Sequence, residues 1–226
     1  MLKLPKISLG PRHPQLIGLD ITTSSIKLIE LSQSGGQYRG EADAAEPARH
    51  HAIEETPIAD AGAVGDAIRR AVKRAGVRSR ECAVAISGDA AITKAVQMPR
   101  NLSDSDLEQQ IEMQADQSIA FPMEEVSYDF QVLGPSDKDP EMRDVLLVAS
   151  RSENVEQRVA AVTAAGLVAK LVDVEAFALE NACRLLTHQM PDGGIDRTIA
   201  VVDFGASTTT FSVLRNLVVV YTRDFA

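Results

Sequence analysis

Two segments of this 226-residue chain, about 180 residues apart, follow one plan: an apolar strand ending near an aspartate, a turn of small hydroxylic residues, then a second strand. The first reads Gly18-Leu19-Asp20-Ile21-Thr22-Thr23-Ser24-Ser25-Ile26-Lys27, the second Val202-Asp203-Phe204-Gly205-Ala206-Ser207-Thr208-Thr209-Thr210. A turn of this kind presents successive backbone N–H groups and short hydroxyls to phosphate oxygens, while a neighbouring carboxylate holds Mg²⁺ through water. One such hairpin alone is more often an ordinary Ser/Thr turn. A pair separated by alternating strands and helices restricts the chain to architectures that bring two distant turns together.

The segment between them divides by its periodicity. Leu16 to Leu31 reads as a hairpin ended by Ser34-Gly35-Gly36, and residues 37–56 are polar, Ala-rich and without clear period. Val64, Ala67, Ile68, Ala71, Val72 and Ala75 predict a helix, with Asp60 as N-cap and Gly76 just past its end. Cys82 to Ser87 reads as a strand, 93–97 as a short strand, and Ser103 to Ile119 as a helix with Ser105 and Glu108 in a capping box. Strands follow at 126–133 and 144–149, so residues 80–149 make a small α+β segment of their own. From Ser152 the pattern is helix, strand and helix again, the second helix running from Glu175 to Gln189. It closes with a meander of strands at 198–204, 210–214 and 218–222.

Charge and cysteine usage exclude several functions. Lys plus Arg number 23 against 32 Asp plus Glu, a formal charge of −9, so no cation excess exists to displace counterions from nucleic acid. No run of 18 apolar residues occurs, and Pro5, Pro11 and Pro14 break the basic start of Lys3, Lys6 and Arg12 before a signal-peptide core can form. Residues 1–15 are therefore expected to be a disordered arm. Cys82 and Cys183 lie in apolar surroundings, as buried thiols of a reducing cytoplasm do. His13, His50, His51 and His188 have no zinc-ligand spacing. The acidic side of the 103–119 helix, with Asp104, Asp106, Glu108, Glu112 and Asp116, reads as a solvated face.

The two hairpins resemble the phosphate loops of the actin-like ATPase superfamily, which includes actin, sugar kinases, chaperone ATPases and the division protein FtsA. The opening from Gly18 to Leu31, the Gln97-Met98-Pro99 step into an acidic helix, Ile119-Ala120-Phe121-Pro122 followed by Glu124-Glu125-Val126, and Val202-Asp203-Phe204-Gly205-Ala206 are together similar to the PilM family of type IV pilus assembly proteins. The resemblance covers the chain from Leu16 onward. It implies an α/β, actin-like (ribonuclease H-like) subdomain formed by 16–79 and 150–226, with residues 80–149 as an inserted α+β subdomain like that of FtsA. It also implies that the chain stops before the second actin-like half.

The function implied is a cytoplasmic scaffold of the pilus inner-membrane platform. Such a scaffold binds ATP with Mg²⁺ and docks the cytoplasmic N-terminal tail of PilN in a groove between the two subdomains. Contacts with other platform components, self-association and an indirect link to the membrane through the partner belong to the same expectation. An FtsA-like membrane tether and a small-molecule kinase are the alternatives. By match of motif, Asp20, Thr22, Thr23, Ser24, Ser25 and Lys27 form the first phosphate loop, and Asp203, Gly205, Ala206, Ser207 and Thr208 the second. Asp20 and Asp203 would hold Mg²⁺ through water. The first loop lacks actin's glycines, so hydroxyls of Thr23, Ser24 or Ser25 must substitute. Ala206 stands where actin has an acid, which argues against rapid hydrolysis. The superfamily's base-binding motifs fall beyond Ala226, which implies weak or absent nucleotide affinity for this chain. Glu175, at a strand-to-helix step that resembles the first connecting motif, is either a helix N-terminal residue favoured by the dipole or a group that positions attacking water.

Overall fold

A computed structural model describes residues 16–49, 52–53 and 57–225. The N-terminal arm and His50 and His51 lie outside the described residues. The order of elements begins β1 (Ile17–Ile21), β2 (Ser25–Ser34), β3 (Gln37–Pro47), α1 (Ala61–Ala75), β4 (Glu81–Ile86), β5 (Ala91–Pro99), α2 (Asp104–Ser118), β6 (Val126–Pro135) and β7 (Met142–Arg151). It continues α3 (Ser152–Ala164), β8 (Val168–Val174), α4 (Glu175–Leu185), β9 (Thr198–Phe204), β10 (Thr209–Arg215) and β11 (Val218–Phe225). The described chain forms two compact units. One is Ala90–Val155; the other joins the residues before Ala90 to those from Glu156 onward.

The discontinuous unit contains a five-stranded sheet in the order β3-β2-β1-β4-β8. Strands β1, β2 and β3 are antiparallel neighbours, whereas β4 runs parallel to both β1 and β8. Ile17, Leu19, Ile21, Ile26 and Leu28 supply its buried face, and Val64, Ala67, Ile68 and Ala71 of α1 join the same core. Helix α1 is bounded as its sequence requires. The Asp60 carboxylate accepts the Ala63 N–H at 2.9 Å, and Gly76 at φ 68° donates its N–H to the Val72 carbonyl. Where α1 meets α3 only glycine fits, since a Cβ on Gly65 would lie 2.7 Å from the Ala164 Cβ and 3.0 Å from the Ala161 carbonyl oxygen. Beyond α4, the strands β9, β10 and β11 form an antiparallel sheet in the order β11-β10-β9.

The inserted unit has its own antiparallel sheet, β5-β7-β6, and its own core. Leu107, Ile111 and Ala115 of α2 pack with Val145, Leu147 and Ala149 of β7 in that core. The acidic positions of α2 are exposed, as a solvated face requires.

Three expectations are corrected. The insertion runs from Ala90 to Val155 rather than from 80 to 149, because β4 finds its partners in β1 and β8 and so belongs to the larger sheet. Residues 37–47, which show no period, form the edge strand β3. Ala44 is its one buried residue, so little alternation is written into it. Helix α2 is capped two residues earlier than expected. Ser103 Oγ accepts the Asp106 N–H at 3.2 Å and donates to the Asp106 carboxylate at 2.6 Å, while Leu107 N–H reaches the Ser103 carbonyl.

Candidate functional site

The β1–β2 turn closes on its own hydroxyls. Thr22 Oγ1 donates to the Ser25 carbonyl at 2.9 Å and accepts the Ser25 N–H at 3.3 Å, while the Thr22 N–H bonds the same carbonyl. Ser25 Oγ lies 3.3 Å from Thr22 Oγ1. Thr22 and Ser25 therefore shape the turn, with Thr23 and Ser24 at its tip. The Ser24 carbonyl accepts the Ala48 N–H at 2.9 Å, tying the turn to the end of β3.

The β9–β10 turn is exposed, and Gly205 is the residue its geometry requires. Gly205 N–H bonds the Thr208 carbonyl at 3.0 Å, and a Cβ on Gly205 would fall 2.6 Å from that oxygen. Thr23 Oγ1 and Ser207 Oγ share a hydrogen bond of 3.1 Å across 184 positions of sequence. The two turns are thus neighbours within one unit.

Cross-strand register places the charges. Asp20 lies opposite Lys27, and Lys27 Nζ donates to Asp20 Oδ2 at 2.9 Å. The hydrogen bond to Asp20 and its negative charge, with a further contribution from Asp203, push the Lys27 ammonium above its ordinary pKa. Lys27 therefore stays charged beside both aspartates. Asp203 lies opposite Thr210 and Thr210 opposite Asp224, so these three share one face of the β9–β11 sheet. Thr210 Oγ1 donates to Asp224 Oδ1 at 2.7 Å.

Glu175 begins α4 directly after β8. Its side chain is open to solvent, yet the protein around it removes enough water to push its carboxyl above the usual range. The Arg158 guanidinium opposes that shift, and the negative charges of Asp20, Asp224 and Asp89 add to it. No side chain caps α4, and Glu175 is the acidic residue of its first turn, where the helix dipole favours negative charge. Asp173 is spent locally: its Oδ1 accepts the Val174 N–H at 2.8 Å. Arg158 itself is 4% exposed, and its Nε donates to the Ala85 carbonyl at 2.6 Å.

Both expected hairpins form, and the structure sets Thr210 and Asp224 in the row of Asp203. Asp224 lies in this row because β11 continues to Phe225, past the expected end at Thr222. Arg158 carried a usable signal, a lone cation three residues after Val155 and four before Val162 on an otherwise apolar helix stripe. Among the described residues no three His, Cys, Asp or Glu side chains gather as a metal shell. Any cation at the turns would take most of its ligands from water and phosphate, a coordination that suits Mg²⁺.

Residues 18–226 match the family described as type IV pilus assembly protein PilM. A chain of a solved PilM-PilN type IV pilus biogenesis complex is similar at a TM-score of 0.75 and 29% identity, over 93% of this chain and 61% of that one. The cytoplasmic domain of EpsL, an inner membrane component of the type II secretion system of Vibrio cholerae, is similar at a TM-score of 0.53 and 13% identity, over 93% and 71% of the two chains. The second likeness concerns the fold alone. The fold is that of the actin-like ATPases, as the paired hairpins implied, and this chain spans about three fifths of the pilus protein's length.

Proposed function

Because the chain belongs to the family of type IV pilus assembly protein PilM, we propose that it is an actin-like scaffold of the pilus platform. Its partner is the cytoplasmic N-terminal tail of PilN, the protein that accompanies PilM in the similar solved complex. Mg-ATP is its ligand in the complete protein, and its place is the cytoplasm beneath the inner membrane. Among the described residues no helix is long and apolar enough to cross a membrane, so attachment through a membrane-anchored partner accords with the chain.

The observation that carries the nucleotide part is the Thr23–Ser207 hydrogen bond, which sets two phosphate-type turns side by side with Lys27 and two aspartates around them. Backbone N–H groups of both turns and the Lys27 ammonium would hold phosphate oxygens; Asp20 and Asp203 would orient a hydrated Mg²⁺. Bound ATP would supply polyphosphate oxygens as acceptors for these donors. The residues here favour holding over turnover: Ala206 offers no acid, and loss of water around Glu175, with neighbouring acids adding to it, raises its carboxyl pKa.

Calorimetric titration of the chain with a synthetic PilN-tail peptide, with and without Mg-ATP, tests this reading. Micromolar binding that persists without nucleotide makes scaffolding the primary role of this chain. Absence of heat in both conditions refutes partner binding by this chain.

A further inference from the structure

Asp203 is the penultimate residue of β9, the strand that enters the second turn, and Thr210 is the second residue of β10, the strand that leaves it. The two are register partners, so their side chains stand on one face with Cβ atoms about 5 Å apart. On the other side of β10, Thr210 is the partner of Asp224, and its Oγ1 donates to Asp224 Oδ1 at 2.7 Å. A carboxylate only accepts, so the direction of this bond is fixed: Thr210 gives its proton towards β11 and keeps its oxygen lone pairs for other contacts. Other hydroxyls at the turns are spent differently. Thr22 donates to the Ser25 carbonyl, and Thr23 and Ser207 share a bond that either can donate. Neither bond has a carboxylate to hold it, and charge-assisted hydrogen bonds are roughly twice as strong as neutral ones. The direction of the Thr210 bond bears on what can bind beside it. A phosphate oxygen needs a donor, whereas water on Mg²⁺ turns its protons outward and needs an acceptor. A threonine hydroxyl can serve either, and the partner that takes its proton decides which.

We propose that Asp224 is a positioning residue for the cation: by taking the Thr210 proton it fixes the Thr210 hydroxyl as an acceptor beside the Asp203 carboxylate, so that Asp203 and Thr210 together receive the waters of a nucleotide-borne Mg²⁺ rather than a phosphate oxygen. An acid on β11, outside the turn, thus shapes a site in which Ala206, within the turn, offers none. The proposal rests on the nucleotide reading above.

Calorimetric titration of the complete protein with ATP, once in Mg²⁺ and once in EDTA, tests it; the readout is the ratio of the two affinities. Thr210→Val keeps the shape of the side chain and removes its oxygen, and it should lower the ratio roughly fivefold, the scale of one hydrogen bond, with the affinity in EDTA unchanged. Thr210→Ser restores the hydroxyl and should restore the ratio. Asp224→Ala frees the Thr210 proton and should lower the ratio as Thr210→Val does. Asp224→Asn removes the charge but keeps an oxygen that can take the proton, so it should keep most of the ratio, which a role as plain negative charge would not explain. Asp224→Ala added to Thr210→Val should lose no more than Thr210→Val alone. An unchanged ratio in Thr210→Val, equal losses in the Ala and Asn variants of Asp224, or a further loss on adding Asp224→Ala to Thr210→Val overturns the proposal. If Asp224→Ala does not fold, the Val and Ser variants of Thr210 still decide, because a loss that serine does not restore is not the loss of a hydroxyl. A wild-type protein that takes up no ATP in either condition refutes the nucleotide reading, and this proposal with it; a wild type that binds while the variants keep its ratio refutes this proposal alone.

Discussion

Gly65→Ala places a methyl group at the closest helix–helix approach in the larger unit. Its Cβ would lie 2.7 Å from the Ala164 Cβ, 3.0 Å from the Ala161 carbonyl oxygen and 3.1 Å from the Ala164 carbonyl carbon. Two of these three atoms are helix backbone, so no side chain can rotate away and α3 must shift by several tenths of an ångström. Overpacking of this kind costs about 1–3 kcal/mol. Replacing a mid-helix glycine by alanine returns about 1 kcal/mol of helix propensity. The net expectation is a loss of about 1 kcal/mol, or a melting temperature lower by roughly 2–4 °C for a chain of this size. Urea denaturation should report the loss, and amide exchange in α1 should locate it. Adding Ala164→Gly removes the nearest contact but leaves the Ala161 carbonyl, so the double variant should be more stable than the sum of the singles by about 0.5 kcal/mol or more. A Gly65→Ala chain more stable than wild type by the full propensity gain would show that α1 and α3 do not approach this closely. The consequence reaches the site, because Arg158 lies less than one turn before Ala161 on the same helix.

Gly205→Ala should open the Gly205–Thr208 turn and withdraw Ser207 from Thr23; the complete protein should lose about tenfold or more in Mg-ATP affinity while its unliganded melting temperature moves little, and unchanged affinity in titration would separate this turn from nucleotide binding. Asp20→Ala and Asp203→Ala should likewise weaken Mg-ATP binding, with thermal stability altered by no more than about 1 kcal/mol because the Asp20–Lys27 pair is largely solvent-exposed. Equal nucleotide affinity in wild type and both variants rejects the loop assignment. Burial pushes the Cys82 thiol up to about 12, so at pH 8 it should remain protonated and resist iodoacetamide in the folded chain; mass spectrometry that finds rapid modification at Cys82 without unfolding contradicts its place in the core.

The sequence by itself determined the parts whose signals are local. Both phosphate-type turns, the α1 caps at Asp60 and Gly76, and the apolar stripes of α1 and α2 are written in residues a few positions apart, where backbone geometry and solvent set the outcome. Local signal fails where burial is slight or the partner distant. Strand β3 exposes most of its side chains and exists because β2 offers it a ladder, so its sequence carries no alternation to read. Strand β4 has the same apolar run wherever it lies; only pairing with β1 and β8 assigns it to the larger sheet and moves the boundary of the insertion to Ala90. Tertiary structure alone decided the site's wider membership. Thr23 meets Ser207, Asp224 joins Asp203 through Thr210, and Arg158, an odd cation on an apolar helix, ties α3 to the Ala85 carbonyl of β4. Each of those links spans many residues of chain and depends on register and burial, quantities that no short stretch of residues encodes.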